Sequence, residues 1–224
     1  GRNNLHEIVQ RVAAQVFIPL TVGGGVRSVQ DAVQLLRAGA DKIAVNTAAI
    51  HRPELIRELA YALGSQAVVL YVEAKTRDGW WECLTDNARE PSGREVVSWC
   101  QEAVALGAGE ILLCGVDRDG TGVGYDLDLI RRVSDAVTVP VVALGGAGQP
   151  SHFLDAITQG RADAVAAASF FHYAVARQLK IEEKGQEGNV EFLTGRRGVD
   201  PRWQGGLREV KRALAKGGVA VRGD

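Results

Sequence analysis

The chain contains no methionine in 224 residues, so as read from Gly1 it does not open at a translation start. Cysteine is scarce. Cys83, Cys100 and Cys114 are odd in number and lack metal-ligand spacing. That excludes a disulfide framework and points to free thiols in a reducing cytoplasm. An excess of one charge is also missing: 26 basic side chains face 27 acidic ones, for a formal net charge of −1. No global basic field is available to attract nucleic acid. No apolar run approaches a membrane span, and no signal peptide opens the chain. The dinucleotide fingerprint is absent too, because no strand leads into G-x-G-x-x-G with an acidic residue about twenty positions on. The expectation is a cytoplasmic protein without metal or cofactor, contacting neither nucleic acid nor membrane.

What is present is glycine, 27 residues of it, and its placement is informative. "VPVVALGGAG" (139–148) starts as an apolar strand and breaks into Gly145, Gly146 and Gly148. Glycine at a strand end suits an unusual backbone angle or a close approach. The stretch has a twin in "IPLTVGGGV" (18–26). Pro19 matches Pro140, Gly24 matches Gly145 and Gly25 matches Gly146, at one constant offset. The match continues from "VQDAVQLLRAGADKIAVNT" (29–47) to "PSHFLDAITQGRADAVAAAS" (150–169), with one inserted residue. Each copy has the order strand, glycine turn, amphipathic helix, turn, second strand, small polar residue. A repeat of this length constrains the fold before any residue is interpreted.

Periodicity supplies the remaining elements. Helices are expected near 4–15, 29–38, 52–63, 93–106 and 127–136, and strands near 17–22, 42–46, 67–75, 109–117, 139–144 and 163–168. A polar loop carrying Trp80 and Trp81 suggests a small hairpin. Near-continuous apolar strands alternating with helices imply a parallel sheet covered by helices. Either a closed barrel or an open doubly wound sheet fits. The twofold repeat and the polar residues at strand ends favour the barrel. The whole chain is expected to form one domain. Residues 176–206, polar and glycine-rich, are expected to be an insertion, with "NVEFL" as a short strand and a last helix from about Leu207 to Ala215.

"TVGGGVRS", "ADKIAVNTAA", "GSQAVV", "GAGEILL", "DRDGTGVGYD", "LGGAG" and "AAASFFH" together resemble the cyclase subunit of imidazole glycerol phosphate synthase, from histidine biosynthesis. The resemblance runs from Gly1 to about Tyr173 and resumes weakly in the last helix. It implies a (β/α)8 barrel of TIM type. The implied activity is a lyase reaction: a phosphorylated ribulosyl imidazole carboxamide plus ammonia gives imidazole glycerol phosphate and an aminoimidazole carboxamide ribotide. A glutaminase subunit as ammonia source is implied as well.

A substrate with a phosphate at each end needs two anion sites, and glycine turns beside helix starts let N–H groups converge on phosphate oxygens. One set is Gly24, Gly25, Asn46 and Thr47. The other is Gly120, Gly145, Gly146, Ala168 and Ser169, with Asp119 nearby. Catalysis needs acid and base groups. The resemblance places a strand-end aspartate where this chain has Glu73, and Asp117 also matches a site position. Lys42 and Glu110 match two of four charged residues that gate ammonia, and Asp41 matches a contact to the glutaminase subunit. Asp117 reads equally well as a turn cap, and Lys42 and Glu110 as ordinary surface charge.

The chain departs from the family pattern in three places. Cys114 stands for a small polar residue, Leu144 stands for a serine, and the family's first two strands have no counterpart. The fold expected is therefore an incomplete barrel equivalent to strands three to eight. It has edges near 17–22 and 163–168, flanked by Phe17, Val22, Val165 and Phe170. Open edges invite association, so a homo-oligomer is expected. These departures leave a second reading open: a catalytically impaired relative that binds phosphorylated ligands, or a self-associating barrel fragment.

Overall fold

The structure, a computed structural model, describes residues 2–176 and 205–222. Its centre is a parallel sheet in the order β1-β2-β3-β6-β7-β8. The strands are β1 (Thr21–Gly23), β2 (Lys42–Val45), β3 (Val68–Arg77), β6 (Glu110–Gly115), β7 (Val141–Leu144) and β8 (Ala164–Ala166). Each pairs in parallel with its neighbour, and the sheet curls into an incomplete barrel. Two further strands, β4 (Trp80–Thr85) and β5 (Glu90–Glu95), form an antiparallel hairpin extending from β3. The hairpin expected around Trp80 and Trp81 is present.

Nine α-helices lie among the described residues: α1 (Arg2–Ala13), α2 (Val29–Arg37), α3 (Thr47–His51), α4 (Glu54–Leu63), α5 (Val96–Leu106), α6 (Leu127–Ala136), α7 (Pro150–Thr158), α8 (Ser169–Ala176) and α9 (Leu207–Lys216). Local chemistry sets their ends. The Ser28 hydroxyl accepts the Asp31 N–H at 3.2 Å and starts α2, as an N-cap should. Glu95 caps α5 by accepting the N–H groups of Val97 and Ser98. Gly107, in the left-handed region at φ +111°, ends it. Helix α9 also pairs Gly206 N–H with the Glu209 carboxylate at 2.9 Å.

The core lies between the outer face of the sheet and the helices. Ile43, Leu70, Ile111 and Leu113 meet Leu55, Ile56, Leu59, Trp99 and Leu129, all essentially inaccessible. Each such side chain contributes about 1.5–3 kcal/mol by burial. Strand alternation turns Tyr71 and Glu73 of β3 to the other, concave face.

The repeat is visible as structure. Helix α7 occupies the positions that α2 predicts for the second copy, and the residues before them adopt nearly one conformation. Ser28 has φ −148° and ψ 163°, and Gln149 has φ −150° and ψ 161°. Both glycine pairs have positive φ: +102° and +73° at Gly24 and Gly25, +91° and +112° at Gly145 and Gly146.

Several boundaries differ from expectation. The strand expected at 17–22 begins only at Thr21. Pro19 has no N–H to give a ladder, and Phe17 is 94% exposed. The helix expected over 52–63 is α4, starting at Glu54, and a separate short helix, α3, precedes it across Arg52 and Pro53. The helix expected from 93 starts at Val96, because residues up to Glu95 belong to the hairpin. Among the described residues, β1 pairs only with β2 and β8 only with β7, so both edges are open. Of the apolar residues expected to flank them, Val22 and Phe170 are buried and Phe17 is exposed. The insertion expected at 176–206, with its "NVEFL" strand, lies outside the described residues except at its ends.

Candidate active site

At the carboxyl ends of β1, β2 and β3 the concave face opens into a cavity of about 920 Å³. Gly24, Gly25, Asn46, Thr47 and Glu73 all line it. The first glycine set and the strand-end carboxylate, read separately from sequence, thus share one space. Gly24 and Gly25 are exposed there, and nothing lies within 4 Å of where a Cβ would stand. The turn they form is therefore open to solvent.

Glu73 is 8% exposed. Its Oε2 accepts the Asn46 amide at 2.8 Å and the Ala88 N–H at 3.1 Å. Its Oε1 faces the Tyr71 hydroxyl at 3.4 Å. Burial raises the Glu73 pKa above the ordinary carboxylate value, and the donors from Ala88, Tyr71 and Asn46 oppose that shift. The Asp86 carboxylate adds to the rise. A carboxyl group whose proton affinity is set by competing surroundings is suited to proton transfer.

The hairpin roofs this cavity. Leu84 C=O accepts from Asn46 Nδ2 at 3.1 Å, Asp86 N–H donates to Thr47 Oγ1 at 3.0 Å, and Ala88 N–H reaches Glu73. The turn places Asp86, Asn87 and Ala88 successively at φ +51°, +58° and +59°. Three left-handed residues in a row are costly outside glycine, and these hydrogen bonds to site residues offset part of that cost. Trp81 Nε1 anchors the arm by donating to Asp126 at 2.9 Å.

The second glycine set is built differently. Gly145 and Gly146 are buried. A Cβ on Gly146 would stand 2.3 Å from Gly124 O, and one on Gly145 would stand 3.2 Å from Asp119 Cβ. Gly124 N–H donates to Gly146 O at 2.8 Å. These glycines therefore admit the loop after β6, which brings Asp119 beside them. Gly120, at φ +70°, has open space. Ala168 and Ser169 follow β8, the neighbour of β7. This set does not line the large cavity.

Asp117 also stands apart from that cavity. Its Oδ2 accepts the Thr76 N–H at 2.8 Å and ties the ends of β3 and β6 together. At the opposite end of the sheet, Lys42 Nζ and Glu110 Oε2 pair at 2.6 Å on the concave face. Asp41 accepts the Leu20 N–H at 2.7 Å, while its own N–H donates to Leu20 O at 2.8 Å. That exchange fixes the entry into β1.

The sequence reading missed Tyr71 and the contacts of the hairpin turn with Thr47 and Glu73. Tyr71 was detectable, since two positions before Glu73 on one strand is the same face. The three thiols are buried and free. Burial pushes Cys83 and Cys114 up to about 12, so neither is a nucleophile at neutral pH.

A barrel-type parallel sheet with a carboxylate and open glycine turns at the carboxyl ends of its strands defines the class: an α/β protein of TIM-barrel type. The chain belongs to the histidine biosynthesis protein family, whose model matches residues 1–177. It is 50% identical, over 191 residues, to imidazole glycerol phosphate synthase subunit HisF of Pyrobaculum aerophilum. The alignment covers 85% of this chain and 75% of that protein.

Proposed function

We propose that the chain carries out the cyclase reaction of histidine biosynthesis, the synthase activity named for its relative. The substrate is a phosphorylated ribulosyl imidazole carboxamide with ammonia, and the products are imidazole glycerol phosphate and an aminoimidazole carboxamide ribotide. The observation that carries this reading is the convergence of Gly24, Gly25, Asn46, Thr47 and Glu73 on one cavity. One phosphate of the substrate sits against the Gly24 and Gly25 N–H groups and the Thr47 hydroxyl. Thr47 Oγ1 already accepts from Asp86, so its own proton is free to donate to an anion. The other phosphate sits near Gly120, with Gly145, Gly146, Ala168, Ser169 and Asp119 around it.

Glu73 is the general acid–base between them, because ring closure and bond cleavage both move protons. Asp117 contributes by holding the ends of β3 and β6 in register. Lys42 and Glu110 lie where ammonia enters, and the Asp41 face receives the glutaminase subunit. The open edges of β1 and β8 are covered by a second copy of the chain.

Steady-state turnover with ammonia and the ribulosyl intermediate tests the reading. Formation of both products is expected. Saturable binding of the intermediate without product would refute the cyclase activity and favour a relative that only binds phosphorylated ligands.

A further inference from the structure

The two oxygens of Glu73 are held unequally. Oε2 has two fixed donors, Asn46 Nδ2 at 2.8 Å and Ala88 N–H at 3.1 Å. Oε1 faces the hydroxyl of Tyr71 at 3.4 Å, a long contact. Tyr71 and Glu73 both line the cavity. Their places in the sheet are fixed by parallel pairing with β6, which sets Tyr71 beside Leu112 and Glu73 beside Cys114.

We propose that Tyr71 is a positioning residue for Glu73: its hydroxyl orients Oε1 as the oxygen that exchanges the proton with substrate. Two short bonds occupy Oε2, while a single long one leaves Oε1 with lone-pair capacity. Long catalytic hydrogen bonds of this kind tighten once substrate excludes water. Tyr71 is not itself the base, because burial, together with the neighbouring Cys114, Glu73 and Asp119, holds its ionisation far above the ordinary tyrosine range. The phenol therefore remains a donor at neutral pH. The other groups facing the pair are the Asp86 carboxylate on the hairpin, the Asp119 carboxylate after β6 and the Cys114 thiol on β6, which also hydrogen-bonds the Tyr71 hydroxyl.

This deepens the cyclase reading, on which its kinetic arm rests, whereas its titration arm needs no turnover. The protein is labelled with 13C at glutamate carboxyls, and the Glu73 signal is identified by its loss in Glu73→Gln. In Tyr71→Phe the Glu73 pKa is expected to rise by about half a unit, since a donor to the carboxylate is lost. Replacing tyrosine with 3-fluorotyrosine, a more acidic donor of nearly the same size, should move it the other way and leaves the fold unchallenged. In the kinetic arm, Tyr71→Phe should lower kcat about fivefold with KM within about twofold, and move the acidic limb of the pH profile upward. A Glu73 titration unmoved by both replacements would overturn the proposal. If the unmodified chain forms no product, the cyclase reading fails, and the titration still decides whether Tyr71 sets the carboxylate.

Discussion

Asn46 Nδ2 donates to Glu73 Oε2 at 2.8 Å and to Leu84 O at 3.1 Å, so one carboxamide joins three elements. Asn46 lies between β2 and α3, Glu73 lies on β3, and Leu84 lies in the hairpin. The remaining oxygen, Asn46 Oδ1, is buried and has no hydrogen-bond partner among the described residues. A buried acceptor without a partner costs about 1–3 kcal/mol. Asn46 is therefore held at this junction for its donor, which fixes the carboxylate on the sheet.

Replacing Glu73 with glutamine separates catalysis from stability. Turnover with ammonia should fall by about 10²–10⁴, the usual contribution of a positioned acid–base group. The stability effect has a defined sign. Burial raises the folded-state pKa of Glu73. The folded state then holds a proton that the unfolded chain has lost, so stability declines as pH rises through that window. Glutamine cannot ionise. The stability of Glu73→Gln relative to the unmodified chain should therefore increase from about pH 4.5 upward. Denaturant unfolding at a series of pH values checks this, and a pH-independent difference would contradict it.

The two glycine pairs should respond differently to alanine. Gly25 is at φ +73° with open space around it. Gly25→Ala should cost about 1 kcal/mol from the left-handed backbone, and it should weaken phosphate-ligand affinity. Gly146 is at φ +112°, and its Cβ would stand 2.3 Å from a backbone oxygen. Gly146→Ala should cost about 3 kcal/mol or more, since the backbone angle and the contact both oppose it. Thermal unfolding and isothermal titration with inorganic phosphate distinguish the two outcomes.

Thr47, at the start of α3, links the end of β2 to the hairpin. Thr47→Val removes the oxygen that accepts the Asp86 N–H. Exchange of the Asp86 amide should accelerate about tenfold, corresponding to the loss of one hydrogen bond. Phosphate affinity should fall with it, and Thr47→Ser should restore both. Amide exchange followed by NMR reads the first effect directly. Unchanged exchange in the valine variant would mean that the hairpin is held without this bond.

The repeat makes much of this legible in the sequence. Pro19 with Pro140 and Gly24 with Gly145 identified two equivalent strand–turn–helix units, and α2 and α7 occupy matching positions. Glu73 was legible because a charge ends an apolar strand. The repeat hid the difference between the pairs: Gly24–Gly25 opens to solvent, while Gly145–Gly146 packs against the loop after β6. That packing is a tertiary contact between segments some twenty residues apart, and glycine spacing does not encode it. Asp41 and Asp117 show the same limit. Each accepts a backbone N–H across strands, from Leu20 and Thr76 respectively. Such a partner becomes visible only when register is known. The hairpin's part in the site was missed because its bonds to Asn46, Thr47 and Glu73 are tertiary contacts, which the turn residues Asp86 and Asn87 do not encode.

The open edges lead to the last prediction. Strand β1 pairs only with β2, and β8 only with β7, among the described residues. Near β1, Phe17 and Ile18 are 94% and 66% exposed, and Ile8, Val12 and Val16 are exposed as well. Exposed apolar side chains such as Phe17 and Ile18 beside an unpaired strand favour association. A twofold interface that sets β1 of each copy against β8 of the other would bury both edges and these residues at once. The chain should therefore run as a dimer or larger species, with a proportion that grows with concentration. Substituting Phe17 and Ile18 by lysine should shift it to monomer, with little effect on the core because neither side chain is buried. Light scattering across a hundredfold concentration range, about the span needed to cross a micromolar equilibrium, decides the matter. A constant monomer mass over that range would show that these edges are not paired between copies.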